Sequence, residues 1–324
     1  MPTLTQSPTS DASSRTRIIE PEGTRFRDDF DRNHFIFHHN LAGNPLFELP
    51  ALTELAEKLL KIEGPSAIRW KNSEAPVDAK WGQKPPSEQI ANVSEAIRNL
   101  DKSGSWVVLY RVQQVPEYSA VLEQALGEIE EMMGRPLRSE LTWKDSYIFM
   151  ASPNAVTPYH IDHECACLMQ VHGDRIAHLW DQKDRSVLSE LEIEEYYMGD
   201  IGSANYSEKR LEKATTYKMN AGTGVHHPSL APHDYKNGPD YSVAVGIHLC
   251  KKDIDRKARV YQANALLRRL GVKPAPPGLG SDGLKMNAIG MLDKKNPKTK
   301  YDLIRSGAVR ARTPFKLINK LRGR

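Results

Sequence analysis

His160, Ile161 and Asp162 open the stretch 157–180, TPYHIDHECACLMQVHGDRIAHLW, around which the chain is organised. In an extended strand, residues i and i+2 project to the same face, so His160 and Asp162 would point together. An imidazole and a carboxylate on one face are two thirds of the two-histidine, one-carboxylate arrangement that holds non-haem Fe(II) and leaves open positions on the metal. An H-x-D triplet alone is short and in most sequences marks two polar residues in a strand or turn. A second histidine downstream gives it weight. In the stretch 225–249, Pro232-His233 precedes a turn signal at Asn237-Gly238, and residues 241–249, rich in Val and Ile, read as a strand. If a barrel brings the two stretches together, a histidine at the mouth of the closing strand completes the triad. His226, His227 and His233 compete for that place.

Together the two stretches resemble the core of the JmjC oxygenases, cupin-type enzymes that use Fe(II) and 2-oxoglutarate. More narrowly, they resemble the bacterial cupin-like branch related to the asparaginyl hydroxylase of hypoxia-inducible factor. The family pattern carries a Thr three residues before the H-x-D histidine, matched by Thr157. Its Q-h-x-G-x-K strand (h apolar) is matched by Gln170-Val171-His172-Gly173-Asp174-Arg175, and its P-H-x-h-x-N-G segment by Pro232-His233-Asp234-Tyr235-Lys236-Asn237-Gly238. The match favours His233 over His226 and His227.

The resemblance covers the central hundred or so residues and implies a mainly β fold with flanking α elements, built on a double-stranded β-helix (cupin or jelly-roll) core. It implies an Fe(II)- and 2-oxoglutarate-dependent dioxygenase, a hydroxylase acting on a peptide or protein side chain or a small metabolite. His160, Asp162 and His233 would be the catalytic metal ligands, and Thr157 and Arg175 would bind 2-oxoglutarate. Many relatives carry Lys where this chain has Arg175. Guanidinium stays charged and grips a carboxylate through two parallel hydrogen bonds, so the chemistry survives the exchange. The ordinary alternative for Arg175 is a surface residue paired with Asp174 or Glu164.

Two rival functions remain: a non-enzymatic cupin-like regulator with a polyanion-binding tail, and a cupin metalloenzyme that does not use 2-oxoglutarate. The first has no need of all three ligand types. The second gains from Arg in place of Lys.

The elements that must position these residues follow from pattern and composition. The 324 residues, 39% hydrophobic, suffice for a sizeable core. The chain divides into a Ser-, Thr- and Pro-rich disordered leader (1–24), a catalytic domain with N-terminal helices (25–270) and a basic C-terminal tail (271–324). The net charge of +4 hides an asymmetry: residues 251–324 hold 20 Lys and Arg against 5 Asp and Glu, and the rest 25 against 36. Such a tail suits a weak, non-specific nucleic-acid contact, or simply a solvated segment balancing an acidic body. Three cysteines make no disulfide framework, and Cys165 and Cys167 read as small core residues on one strand face. A reduced, cytoplasmic setting fits, and no apolar run is long enough for a membrane span. A homodimer is left open.

Helices are expected from near Pro50, over 87–100 with Ser87 as N-cap, from Pro116 to Met133, and over 253–270. Strands are expected at 68–82 (with a loop), 106–112 and 147–150. The acidic residues Glu123, Glu128, Glu130 and Glu131 read as a solvated helical face. His34, His38 and His39 read as surface or packing residues. The stretch 181–224 reads as an insert of one or two short helices and loops, with Tyr196, Tyr197, Asn205 and Tyr206 as candidate pocket residues.

Overall fold

The computed structural model describes residues 16–80, 92–297 and 302–307. Its strands are β1 (Phe35–His38), β2 (Ile68–Asn72), β3 (Ser105–Leu109), β4 (Leu141–Ala151), β5 (Val156–His160), β6 (Cys165–His172), β7 (Arg175–Leu179), β8 (Thr215–Met219), β9 (Thr223–His227), β10 (His233–Asn237) and β11 (Ser242–Lys251). They form two antiparallel sheets, ordered β1-β9-β6-β11-β4-β3-β2 and β5-β10-β7-β8. From β4 to β11 the chain passes back and forth between the sheets. Those eight strands are the double-stranded β-helix, and β1, β2 and β3 widen its larger sheet.

Alternation assigns each residue of the larger sheet to one side. In β11, Val243, Val245, Ile247 and Leu249 face outward into the main hydrophobic core, as do Cys165, Cys167 and Met169 of β6. Ala244, by contrast, packs inward with Leu168, Val225, Ala177 and Tyr235, where the two sheets meet. Helices α2 (Leu49–Glu63) and α4 (Pro116–Met133) cover the outer face through Leu52, Leu55, Leu59, Leu122 and Leu126. Truncating one of these fully buried leucines to Ala would cost about 2–5 kcal/mol. Both helices carry proline in the first turn, where its missing N–H costs nothing. The second ends at Gly134, whose φ of 66° closes the last turn.

The remaining helices are α1 (Arg25–Asp29), α3 (Val93–Arg98), α5 (Glu190–Tyr197), α6 (Glu208–Leu211), α7 (Lys252–Arg269) and α8 (Asp282–Gly290). No helix among the described residues is long and apolar enough to cross a membrane. Of the helix expected over 87–100, Ser87 and Ile90 lie outside the described residues, whereas Val93, Ile97 and Leu100 are buried as expected. The strand expected over 106–112 ends at Leu109, because Arg111 adopts a left-handed conformation and opens a short 3-10 turn.

Several expectations are corrected. Residues 1–15 of the leader lie outside the described residues, but 16–24 are ordered: Ile18 and Ile19 are buried in the main core, and Ile19 bridges His39. Glu128 is not solvated. It is buried, and its carboxylate accepts the backbone N–H groups of Ile18 and Ile19 at 2.7–3.0 Å. The stretch 181–224 holds β8 and the start of β9 besides its two helices, so it is partly barrel. The segment after 271 is not wholly a tail: α8 packs on α7, and Ile304 is buried beside Tyr196 and Tyr261. Residues 308–324 lie outside the described residues.

Candidate metal centre

His160 ends β5 and His233 begins β10, and the two are Cα partners in the smaller sheet. Antiparallel partners project to the same side, so their rings meet, with centroids 4.1 Å apart. Asp162 follows in the turn after β5. Its Oδ2 lies 3.6 Å from His160 Nε2 and 3.8 Å from His233 Nε2. One ligand atom from each of the three residues falls within 4.8 Å of the others. For bonds of roughly 2.1 Å meeting at right angles, neighbouring donors would be about 3 Å apart. The Asp162 carboxylate thus needs to close on each imidazole by less than an ångström to share an ion with it.

The donor chemistry fits as well. His160 donates from Nδ1 to the Pro158 carbonyl at 2.7 Å, and His233 from Nδ1 to the Ala231 carbonyl at 2.9 Å. Each bond fixes the tautomer with the proton on Nδ1, so Nε2 presents its lone pair to the shared space. Burial, with the neighbouring His160 adding to it, pushes the His233 pKa down to about 3. That imidazole is therefore neutral at any working pH. The Asp162 carboxylate keeps 16% side-chain exposure, more than either histidine, so this side of the site faces the opening.

Strand alternation separates the three competing histidines. His226 faces outward, stacks on Phe30 at 4.5 Å and accepts the backbone N–H of Asp31 at 2.8 Å, so it belongs to the core. His227 faces inward and stacks on His233 at 4.5 Å, but it is absent from the converging donor group. Its Nδ1 is buried and has no hydrogen-bond partner, and burial together with nearby imidazoles holds its pKa well below the usual value.

The two residues expected to grip a cosubstrate lie further along the same interior. Arg175, at the start of β7, is the Cα partner of Asn237, and Thr157 is the partner of Tyr235. From the triad, the Tyr235 ring lies 5.6 Å beyond the His233 ring, and the Arg175 guanidinium carbon lies 5.5 Å from the Tyr235 ring. Arg175 is only 5% exposed. It makes one hydrogen bond, from Nη2 to Ser242 Oγ at 2.5 Å, and its Nε has no partner. It pairs with neither Asp174 nor Glu164, and burial pushes its pKa down to about 10. Thr157 Oγ1 accepts from Trp106 Nε1 at 3.0 Å, which leaves its own hydroxyl hydrogen to donate.

Gly173 makes this register possible. It sits in the β6–β7 turn at a φ of 69°, and a Cβ there would collide with the Tyr241 carbonyl.

Sequence reasoning missed three polar groups around Arg175. Tyr235 Oη and Gln170 Oε1 are buried without partners, and Ser242 bonds both Gln170 and Arg175. Tyr235 is two residues beyond His233, so the period-two rule that paired His160 with Asp162 would have found it. His248 was also missed. It is buried against the Tyr147 ring at 4.3 Å with neither ring nitrogen hydrogen-bonded, and its Nδ1 lies 3.4 Å from Glu164 Oε1 in poor bonding geometry. Of the candidate insert residues, Tyr196 and Tyr197 are fully buried in a satellite core, and Tyr206 packs edge-on to Tyr159 at 5.9 Å.

No protein-family model matches the chain, and no curated protein does. Among solved structures, the chain is similar in outline to E. coli YcfD, at a TM-score of 0.47 and 14% identity over 91% of this chain and 67% of that one. A second structure, titled as the ribosomal oxygenase YcfD from Escherichia coli with cobalt and 2-oxoglutarate, gives a TM-score of 0.46 at 13% identity, covering 91% and 66%. A third, with cobalt and succinic acid, gives 0.45 at 13% identity over the same shares. Likeness of this degree assigns no function, and the chemistry of the site stands on its own geometry.

Proposed function

We propose that the chain is an Fe(II)- and 2-oxoglutarate-dependent oxygenase, a hydroxylase of a peptide or protein side chain or a small metabolite. The observation that carries this reading is Arg175. A guanidinium so deeply buried, with one neutral hydrogen-bond partner and no carboxylate within ion-pair distance among the described residues, is costly unless an anion joins it. It opens on the interior that holds the His160, Asp162 and His233 triad. A dicarboxylate answers both ends: one carboxylate for the cation, the other end for the metal. A metalloenzyme that uses no such cosubstrate leaves Arg175 unexplained.

When bound, Fe(II) and the keto acid would together supply activation of dioxygen for oxidation of a substrate C–H bond. The protein's own residues do the rest. His160 and His233 would bind through Nε2, their rings fixed by backbone carbonyls. Asp162 adds one negative charge toward the cation. Arg175 supplies charge and paired N–H donors to the far carboxylate, while the Thr157 and Tyr235 hydroxyls are placed to donate beside it. Leu168, Ala177, Met219 and Val225 form a dry floor between the sheets, which keeps these electrostatic contacts strong.

The test is succinate formation from 2-oxoglutarate under air with Fe(II). The wild-type chain should produce it and Asp162→Ala should not. Equal succinate from both proteins, or none from the wild type with iron bound, would contradict the reading.

A further inference from the structure

Immediately after Asp162 the chain turns a histidine away from the cavity. His163 is fully buried, and its ring nitrogens meet groups from two distant helices. Nδ1 lies 2.9 Å from the Tyr197 hydroxyl at the end of α5, and Nε2 lies 2.7 Å from Asp255 Oδ1 in the first turn of α7. Asp255 is itself buried, and its Oδ2 has no partner. The N-terminal end of α7 favours a negative charge there. Hydrogen bonds at both ring nitrogens, one to a carboxylate and one to a hydroxyl, hold the imidazole in one orientation. Tyr197 is held in turn, edge-on to His163 and stacked on Tyr261 at 5.8 Å.

The other side of the same turn is also fixed. The Asp162 carbonyl accepts the Leu230 N–H at 2.8 Å, and Leu230 adopts a positive φ of 64°, a conformation that branched and bulky residues rarely take. Asp162 is thus held between a strained residue just upstream of His233 and a buried imidazole braced by α5 and α7.

We propose that Asp255 and Tyr197, acting through His163, are positioning residues that aim the Asp162 carboxylate at the metal. This rests on the metal reading above. Neither residue touches the metal or a substrate. Their effect is to remove the freedom of the turn that carries Asp162, so the carboxylate is already in place when the ion arrives. The arrangement also links the metal to the 181–224 insert, since α5 lies within it.

The test is a Co(II) titration of the chelator-stripped protein, read by visible d–d absorption, with the thermal midpoint of the metal-free protein measured in parallel. Asp255→Asn should raise the Co(II) Kd about 10- to 100-fold, the range typical of residues that orient ligands. Tyr197→Phe removes one hydroxyl but keeps the ring packing, and should raise the Kd severalfold with little change in midpoint. Asp255→Glu, which restores a carboxylate, should recover part of the loss. A merely structural contact would lower the midpoint and leave the Kd of the folded protein unchanged. Kd values within twofold of wild type for both Asp255→Asn and Tyr197→Phe would overturn the proposal alone. Should Asp255→Asn not fold, Tyr197→Phe decides. Absence of Co(II) binding by the wild type would overturn the ligand set and this proposal together.

Discussion

Removing the Arg175 guanidinium separates the cosubstrate reading from its rivals, because the structure predicts opposite effects on binding and on stability. The side chain is 5% exposed and burial pushes its pKa down to about 10, a penalty of roughly 3 kcal/mol for keeping it charged inside the protein. That penalty is fully present below pH 10, where both folded and unfolded states hold the proton. A bound carboxylate offsets it. Losing one partner of a buried charge pair costs about 3–5 kcal/mol, or two to four orders of magnitude in affinity. Arg175→Ala should therefore raise the 2-oxoglutarate concentration needed for half-maximal succinate formation by about 10²-fold or more, with Co(II) affinity close to normal. Arg175→Lys should recover only part, since an ammonium is a point charge without the planar fork. Arg175→Met, which keeps length and loses charge, should leave the ligand-free protein at least as stable as wild type, a result a structural ion pair would not give. Superimposable succinate curves for wild type, Arg175→Ala and Arg175→Lys at saturating iron would refute the reasoning and favour a metalloenzyme without a keto acid.

Asp162→Ala should abolish Fe(II) or Co(II) binding in a metal titration, whereas His227→Ala, which removes a ring stacked on His233 and outside the donor group, should retain it; exchange of the two phenotypes would move the ligand set. Burial pushes the pKa values of His39, His226 and His248 down to about 4, against roughly 6.5 unfolded. Between those values the unfolded chain binds more protons, so stability should fall as pH drops from 6.5 toward 4, by up to about 1.4 kcal/mol per histidine per pH unit; a flat thermal midpoint from pH 7 to 5 would contradict this. Glu128→Gln, which weakens the acceptor for two buried N–H groups of the N-terminal segment, should cost about 1–3 kcal/mol in denaturant unfolding. Deleting residues from 280 onward removes α8 and the buried Ile304, so it should lower the thermal midpoint, where loss of a solvated tail would not.

The convergence of His160, Asp162 and His233 was legible because its signals are local. Two of the residues lie at strand spacing, and the third sits in a Pro-His segment before a turn. Arg175 was placed by its register in the Q-h-x-G-x-K segment, which the structure folds as the β6–β7 turn rather than one strand, although its burial and its lack of a carboxylate partner among the described residues were not legible. Those depend on which side of β7 meets β10, a pairing across nearly sixty residues. His226 and His227 are neighbours that alternation sends to opposite faces, yet the direction of that alternation is fixed only when β9 docks between β1 and β6. The short strand β1 was hidden because Phe35 and Phe37 read as an aromatic cluster, and only Gly224 on β9 leaves room for the Phe37 ring. Glu128 looked like one more acid on a solvated helix until a distant segment brought two amides to it. The His163, Tyr197 and Asp255 link joins residues up to 92 positions apart and has no sequence signature.

The central claim is that one interior holds a metal on His160, Asp162 and His233 and a keto acid on Arg175. Anaerobic reconstitution with Fe(II), followed by addition of 2-oxoglutarate, tests it most directly. The account predicts a visible charge-transfer band that needs both components, that is lost in Asp162→Ala, and that Arg175→Ala reaches only at far higher 2-oxoglutarate. No band from folded wild-type protein at saturating iron and keto acid, or an undiminished band in Asp162→Ala, would contradict it.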